Sequence, residues 1–170
     1  MISEKQFWEL IKESIKYKES FDKNLQGDCL MEILTDLPVE QIAGFHNRML
    51  QLRGEINSPM MRDIAFMMKF GDNDHEFQGF KNWVISLGKE YYQKAKNSPT
   101  HLLTLSDENL FVVGQAYFQD LNFVSSGAFF DKTDLDFDDW YKALKDDKEA
   151  SQNRKLPKKE DKSKDQDLER

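Results

Sequence analysis

The chain has 170 residues, of which 39% are hydrophobic and 32% charged, and it carries a formal net charge of −7. This length fits one domain with a tail. The acidic charge argues against a nucleic-acid groove, which needs clustered Lys and Arg, and no stretch approaches the roughly 20 apolar residues of a membrane span. A single cysteine, Cys29, excludes an intramolecular disulfide and fits a reducing compartment, and the N-terminus does not resemble a signal peptide. We therefore expect a cytoplasmic protein that binds neither nucleic acid nor membranes.

The first third of the chain shows helical spacing with short breaks. Ser3 is a suitable N-cap for a first helix, and Asp28 is expected to begin a short second one. Pro38 and Pro59 mark two further helix starts, because proline suits the first turn of a helix and breaks its interior. The apolar side chains that this spacing assigns to the core are Phe7, Trp8, Ile11, Ile15, Leu30, Ile33, Leu34, Ile42, Phe45, Met49, Leu52, Ile64 and Ala65. We also expect the four methionines around Ile64 to fill the core, namely Met60, Met61, Met67 and Met68.

The strongest pattern lies between residues 77 and 99. Apolar side chains recur there at intervals of three and four residues, which places them on one face of an α-helix. These residues are Phe77, Phe80, Val84, Leu87, Tyr91 and Ala95. Gly88 either lies inside one long helix or divides it in two, and Pro99 ends this element.

Two more helices are expected in the rest of the chain. Residues 106–108 are suited to cap one that carries Leu121, and residues 134–144 form a last amphipathic segment. The sequence therefore predicts an all-α fold, a single globular domain of about six to eight helices over residues 1–146. Residues 147–170 contain few apolar and many charged side chains, which predicts a disordered charged C-terminal tail.

The central motif resembles a known family. From Phe77 to Gly88 the chain reads Phe-x-x-Phe-x-x-Trp-Val-Ile-x-x-Gly, and Tyr92, Ala95 and Pro99 follow. Together with residues 7–11 and 37–45, this pattern is similar to the bacterial domain-of-unknown-function family 4240, over about residues 1–121. The resemblance implies a small, mainly helical bacterial protein without an established activity. Some members carry a label for molybdenum metabolism regulation.

Four ligand-capable side chains precede the central helix within five residues: Asp72, Asp74, His75 and Glu76. Their oxygens suit Ca²⁺ or Mg²⁺ and the imidazole suits a transition metal, so they are the candidate metal ligands. Their spacing does not match an EF-hand. The simpler interpretation is a helix N-terminus, where acids accept backbone N–H bonds and interact favourably with the helix dipole. The acidic run between Asp131 and Asp139 is interpreted in the same way.

No nucleophile elbow, phosphate-binding loop or dinucleotide fingerprint occurs in the sequence, so we predict neither a catalytic residue nor a cofactor. The leading hypothesis is a non-enzymatic protein-interaction module, regulatory or inhibitory, whose acidic charge suits a basic protein partner. Trp140, beside the acidic run, is the candidate exposed anchor for that partner. The alternative is a metal-dependent enzyme or metal-binding sensor that uses the acidic loop before the central helix.

Overall fold

The computed structural model describes residues 1–15, 24–105 and 121–155, which form α-helices and one 3-10 helix. The α-helices are α1 (Glu4–Ile15), α2 (Asn24–Thr35), α3 (Val39–Glu55), α4 (Pro59–Met67), α5 (Asp74–Ser86), α6 (Lys89–Asn97), α7 (Leu121–Lys132) and α8 (Phe137–Lys155). The 3-10 helix, Pro99–Leu105, follows α6. These ranges contain no strand, and the predicted all-α class is confirmed.

The predicted capping residues begin several of these helices. The Ser3 hydroxyl accepts a hydrogen bond from the Gln6 backbone N–H at 3.1 Å, at the start of α1. Ser58 does the same for α4, with Pro59 in the first turn, and Pro38 precedes α3. The second helix begins at Asn24 rather than at Asp28, so that prediction of its start was wrong.

Helix α3 is the central element, since α1, α5, α7 and α8 all pack against it. Its four predicted core side chains, Ile42, Phe45, Met49 and Leu52, are at most 1% exposed. The Phe45 ring stacks on Phe7 of α1, with the ring centres 4.7 Å apart. The apolar face read from the sequence is therefore the face that α3 buries.

Gly88 divides the central element, which settles the choice between one helix and two. It has a φ of +96°, a value that favours glycine, and it lies between α5 and α6 as the N-cap of α6. The apolar stripe continues across the break: Phe77, Phe80, Val84, Leu87 and Ala95 are buried, and Tyr91 is half-buried. The stripe thus predicted the buried face correctly even though two helices share it.

Two predictions about the core and the tail need correction. Met61 and Met68 are buried, but Met60 and Met67 are 54% and 62% exposed, because α4 packs only one of its faces.

Residues 147–155 belong to α8, so the prediction of disorder from residue 147 was wrong for that stretch. Polar contacts hold it: Asp147 accepts a hydrogen bond from Asn47 at 2.8 Å, and its carboxylate pairs with the amine of Met1.

Residues 156–170 of the predicted tail, and the helix expected from residue 106, lie outside the described residues. In the part of the chain that is described, no helix is long and apolar enough to cross a membrane.

Candidate functional site

The acidic loop before α5 forms a capping box. Asn73 is the N-cap, and its side-chain oxygen accepts a hydrogen bond from the Glu76 backbone N–H at 2.9 Å. The Glu76 carboxylate turns back and accepts from the Asn73 side chain at 2.6 Å. Gly71, with a φ of +94°, makes room for this turn, because a Cβ at that position would collide with the Glu76 carboxylate. Glu76 therefore acts in the helix start, as the simpler interpretation predicted.

The other three candidate metal ligands do not come together with Glu76. The Asp74 carboxylate forms an ion pair with Arg62 at 2.7 Å, while Asp72 and His75 are exposed. Within the described ranges, no three His, Cys, Asp or Glu side chains come together in a group that could hold a metal ion. Metal binding by Asp72, Asp74, His75 and Glu76 stays a prediction without a supporting contact.

Trp140 is not an exposed anchor, and that prediction was wrong. Its side chain is 4% exposed, with ring centres 5.1 Å from Phe129 of α7 and 5.4 Å from His46 of α3. The orientation of α8 about its own axis explains this, because the helix begins at Phe137 and places Trp140 on the side that faces α3 and α7.

The same orientation leaves other aromatic side chains at the start of α8 exposed. Phe137 is 64% and Tyr141 is 65% exposed, and they share one helix face because they lie four residues apart. Leu135, just before the helix, is 49% exposed. The Phe137 ring packs edge-on against Phe130 with the ring centres 4.7 Å apart, which holds it in position. We call Leu135, Phe137 and Tyr141 the α8 aromatic surface.

Aspartates lie at the Phe137 end of this surface, and the exposed Lys142 and Lys145 lie at its Tyr141 end. Asp136 caps α8 by accepting hydrogen bonds from the backbone N–H groups of Asp138 and Asp139, at 2.9 and 3.2 Å. Asp134 and Asp138 are exposed. The predicted role of this acidic run as a helix start is confirmed for Asp136, and the apolar patch is negative at its Phe137 end.

A second cluster, which the sequence analysis missed, lies between α3 and α5. Lys81 is only 3% exposed, and its ammonium group donates to the Asn57 side-chain oxygen at 3.0 Å. It also lies 4.5 Å from the centre of the Phe77 ring. Arg53 of α3 donates to the side-chain oxygens of Asn122 at 2.5 Å and of Asn82 at 3.4 Å. We call Arg53, Lys81 and Asn82 the cationic cluster.

Electrostatics distinguish this cluster from the surface lysines. Burial, together with the charges of Arg53 and Arg62, lowers the pKa of Lys81 to about 8, against an opposing effect of Asp74. Burial also lowers the pKa of Arg53. Arg53 and Lys81 therefore form a local concentration of positive charge in a protein whose net charge is negative. No local pattern in the sequence indicated it, because Arg53 is far along the chain from Lys81 and Asn82.

His46 and Cys29 are two further titratable side chains whose pKa values are shifted mainly by burial. The His46 Nδ1 atom lies 2.7 Å from the Ser125 hydroxyl, and burial, followed by the charges of Arg53 and Lys148, lowers the pKa of His46 to about 4. The half-buried Cys29 has a raised pKa, caused by burial and then by nearby glutamates, so its thiol stays protonated at neutral pH.

A groove of about 440 Å³ separates α1 from the start of α6. Trp8, Leu87 and Tyr91 form part of its wall, and lysines and glutamates of both helices alternate around it. This mixture of opposite charges favours no particular class of ligand.

These features define an all-helical domain in the part of the chain that the structure describes. The chain belongs to the family of proteins of unknown function DUF4240, whose model matches residues 2–131. The predicted membership is confirmed, and the match extends beyond the expected residue 121. The family description states no activity, and the match gives no support to the molybdenum label. No curated protein and no solved structure matches the chain.

The two candidate surfaces differ in their relation to this family. The cationic cluster lies within the matched residues, whereas the α8 aromatic surface begins at Leu135, after the match ends.

Proposed function

We propose that this protein is a non-enzymatic module that binds a basic protein partner through the α8 aromatic surface. The observation that carries the proposal is the pair of exposed aromatic rings, Phe137 and Tyr141, side by side on one helix face. Aromatic side chains supply much of the binding energy at protein interfaces, and residues four apart on a helix are a common pair of anchors.

The charge around the surface favours a basic partner. Asp134, Asp136 and Asp138 lie beside Phe137 in the chain, whose net charge is −7, although Lys142 and Lys145 follow Tyr141. Such a negative field steers a positively charged surface towards the rings and raises the rate of association. A module that covers a basic functional surface on its partner would inhibit that partner, which is how a regulatory role would arise.

The alternative, a metal-dependent enzyme or metal sensor, receives no comparable support from the described residues. Two of its four candidate ligands, Asp74 and Glu76, already have other partners in the structure. The cytoplasmic location expected from the sequence remains part of the proposal.

The test compares the proteins that three tagged forms of this chain retain from a lysate of the source cells. The forms are the wild type, the double variant Phe137→Ser with Tyr141→Ser, and the control Phe123→Ser. Phe123 is a matched control because it is 66% exposed, as the two rings are, but lies at the start of α7 and not on α8. Quantitative mass spectrometry measures the recovery of each protein.

We expect a basic protein to be retained by the wild type and by Phe123→Ser, and its recovery to fall at least about tenfold with the double variant. Recovery should also decrease as the salt concentration rises, since the attraction is partly electrostatic. Circular dichroism checks that the double variant remains folded. Equal recovery by all three forms, or no basic protein above background, would refute the proposal.

A further inference from the structure

The cationic cluster lacks an anionic partner among the described residues. None of the ion pairs in those residues includes Arg53 or Lys81. Buried charges are normally paired, because removing an ion from water without an opposite charge is costly. Lys81 directly contacts only the oxygen of Asn57 and the ring of Phe77, and the more distant carboxylate of Asp74 partly offsets the effect of the neighbouring cations on its pKa.

The cluster also contains buried donors without acceptors. The Nε atom of Arg53 and the Nδ2 atom of Asn82 make no hydrogen bond, although both atoms are buried and Asn82 is 0% exposed. The Asn82 amide lies beside the guanidinium group, since its oxygen accepts from Arg53 Nη1 at 3.4 Å. Buried donors are almost always paired in native proteins, and an absent ion is one recognised reason for an exception.

From these observations we propose that Arg53, Lys81 and Asn82 bind a small oxyanion, a carboxylate or phosphate group of a small molecule. The guanidinium N–H groups match the spacing of two oxygens on such a group, and the ammonium group adds a point charge. The free Nδ2 donor supplies a neutral contact. The inference is independent of the proposed partner, because the aromatic surface lies on a different helix.

The surroundings of the cluster are consistent with a ligand that enters from solvent. Asn57, which accepts from Lys81, is exposed, and Arg62, which lies 4.4 Å from the Phe77 ring centre, is half-buried. The pKa of Lys81 is lowered partly by Arg53 and Arg62, so these cations repel one another. A bound anion would relieve that repulsion.

The first experiment measures the melting temperature of the full chain at pH 7 in three solutions of equal ionic strength: sodium phosphate, sodium acetate and sodium chloride. We expect phosphate or acetate to raise Tm by about 3–6 °C at a concentration of about ten times Kd, and chloride to have no comparable effect. A rise in Tm that saturates with phosphate alone assigns a phosphate group, and one that saturates with acetate alone assigns a carboxylate; a rise that grows steadily with concentration is the general effect of an excluded salt and counts against the site. Equal behaviour in all three solutions would overturn the proposal.

Calorimetric titration of three variants with the stabilising anion then locates the site. Arg53→Gln should weaken binding at least about tenfold, as expected for loss of a charged partner. Arg154→Gln should bind as the wild type does, because Arg154 is exposed on α8 and donates only to a backbone carbonyl there.

The third variant, Asn82→Asp, distinguishes a missing anion from a merely structural polar cluster. It places a carboxylate beside the guanidinium group without changing the size of the side chain. We expect it to abolish anion binding and to raise Tm above that of the wild type in anion-free buffer. Retained binding in either site variant, or an unchanged or lower Tm for Asn82→Asp, would overturn the proposal. If Arg53→Gln fails to fold, the anion binding and the Tm of Asn82→Asp still test the proposal.

Discussion

Replacing Gly88 with alanine tests whether the backbone itself separates α5 from α6. Gly88 has φ +96° and ψ 173°, a conformation that is essentially restricted to glycine. A Cβ there would also lie 3.3 Å from the end of the Ile15 side chain, which can move by a few tenths of an ångström. Most of the expected destabilisation therefore comes from the backbone rather than from a clash.

Backbone strain of this kind costs about 1–3 kcal/mol. For a protein of this size, 1 kcal/mol corresponds to a change in Tm of about 2–4 °C, so Gly88→Ala should lower Tm by about 2–12 °C. Gly54 provides the matched control. It lies exposed in the last turn of α3, and a Cβ there would meet nothing within 4 Å. Because alanine favours the helix, Gly54→Ala should raise the free energy of unfolding by about 0.5 kcal/mol and Tm by about 1–2 °C.

Thermal unfolding followed by far-ultraviolet circular dichroism measures both shifts. The two substitutions are chemically identical, but we expect shifts in Tm of opposite sign. If Gly88→Ala were as stable as the wild type or more stable, the break between the helices would not depend on glycine. The interpretation of Gly88 as the required residue at this junction would then be refuted.

Two further predictions concern protons and metal ions. Folding lowers the pKa of His46 from 6.5 to about 4. Between these pH values the imidazole is protonated in the unfolded chain but not in the native chain. The free energy of unfolding therefore decreases as the pH falls from 6.5 to 4. Urea unfolding measures the free energy of unfolding at pH 7 and at pH 4. Between these pH values it should decrease by about 2–3 kcal/mol more for the wild type than for His46→Gln, and equal decreases would contradict this prediction. In calorimetric titrations, Ca²⁺, Mg²⁺, Mn²⁺ and Zn²⁺ should bind no more tightly than about millimolar, because Arg62 and Asn73 occupy the carboxylates of Asp74 and Glu76. A tighter site that disappears in the double variant Asp72→Asn with His75→Gln would instead support the metal hypothesis.

The helices that could be predicted are those whose ends are determined locally. Ser3 and Ser58 cap the backbone within the next three residues, and Pro38 constrains the residues beside it. The apolar periods of α3 and α5 gave the correct buried faces for the same reason, because a helix presents residues three and four apart on one side. Local chemistry was sufficient for these elements.

Tertiary contacts determine what could not be predicted. Whether Trp140 or Tyr141 faces inwards depends on Phe129 and His46, which lie on other helices. Lys81 follows Phe80 in the aromatic stripe, and only the packing of α3 against α5 makes it a buried cation near Arg53. The four candidate metal ligands show the opposite relation between sequence and structure. They are close in sequence, but the cap and Arg62 give two of them separate partners.

The fluorescence of the three tryptophan side chains can be used to follow unfolding, because all three are buried in the native protein. Trp8, Trp83 and Trp140 are 5%, 1% and 4% exposed, so each should fluoresce at short wavelength in the native state. Their neighbours differ: Trp8 contacts Tyr92, Trp83 contacts Phe80, and Trp140 contacts Phe129. Chains that retain a single tryptophan would therefore show whether the two ends and the middle of the protein melt together or in succession.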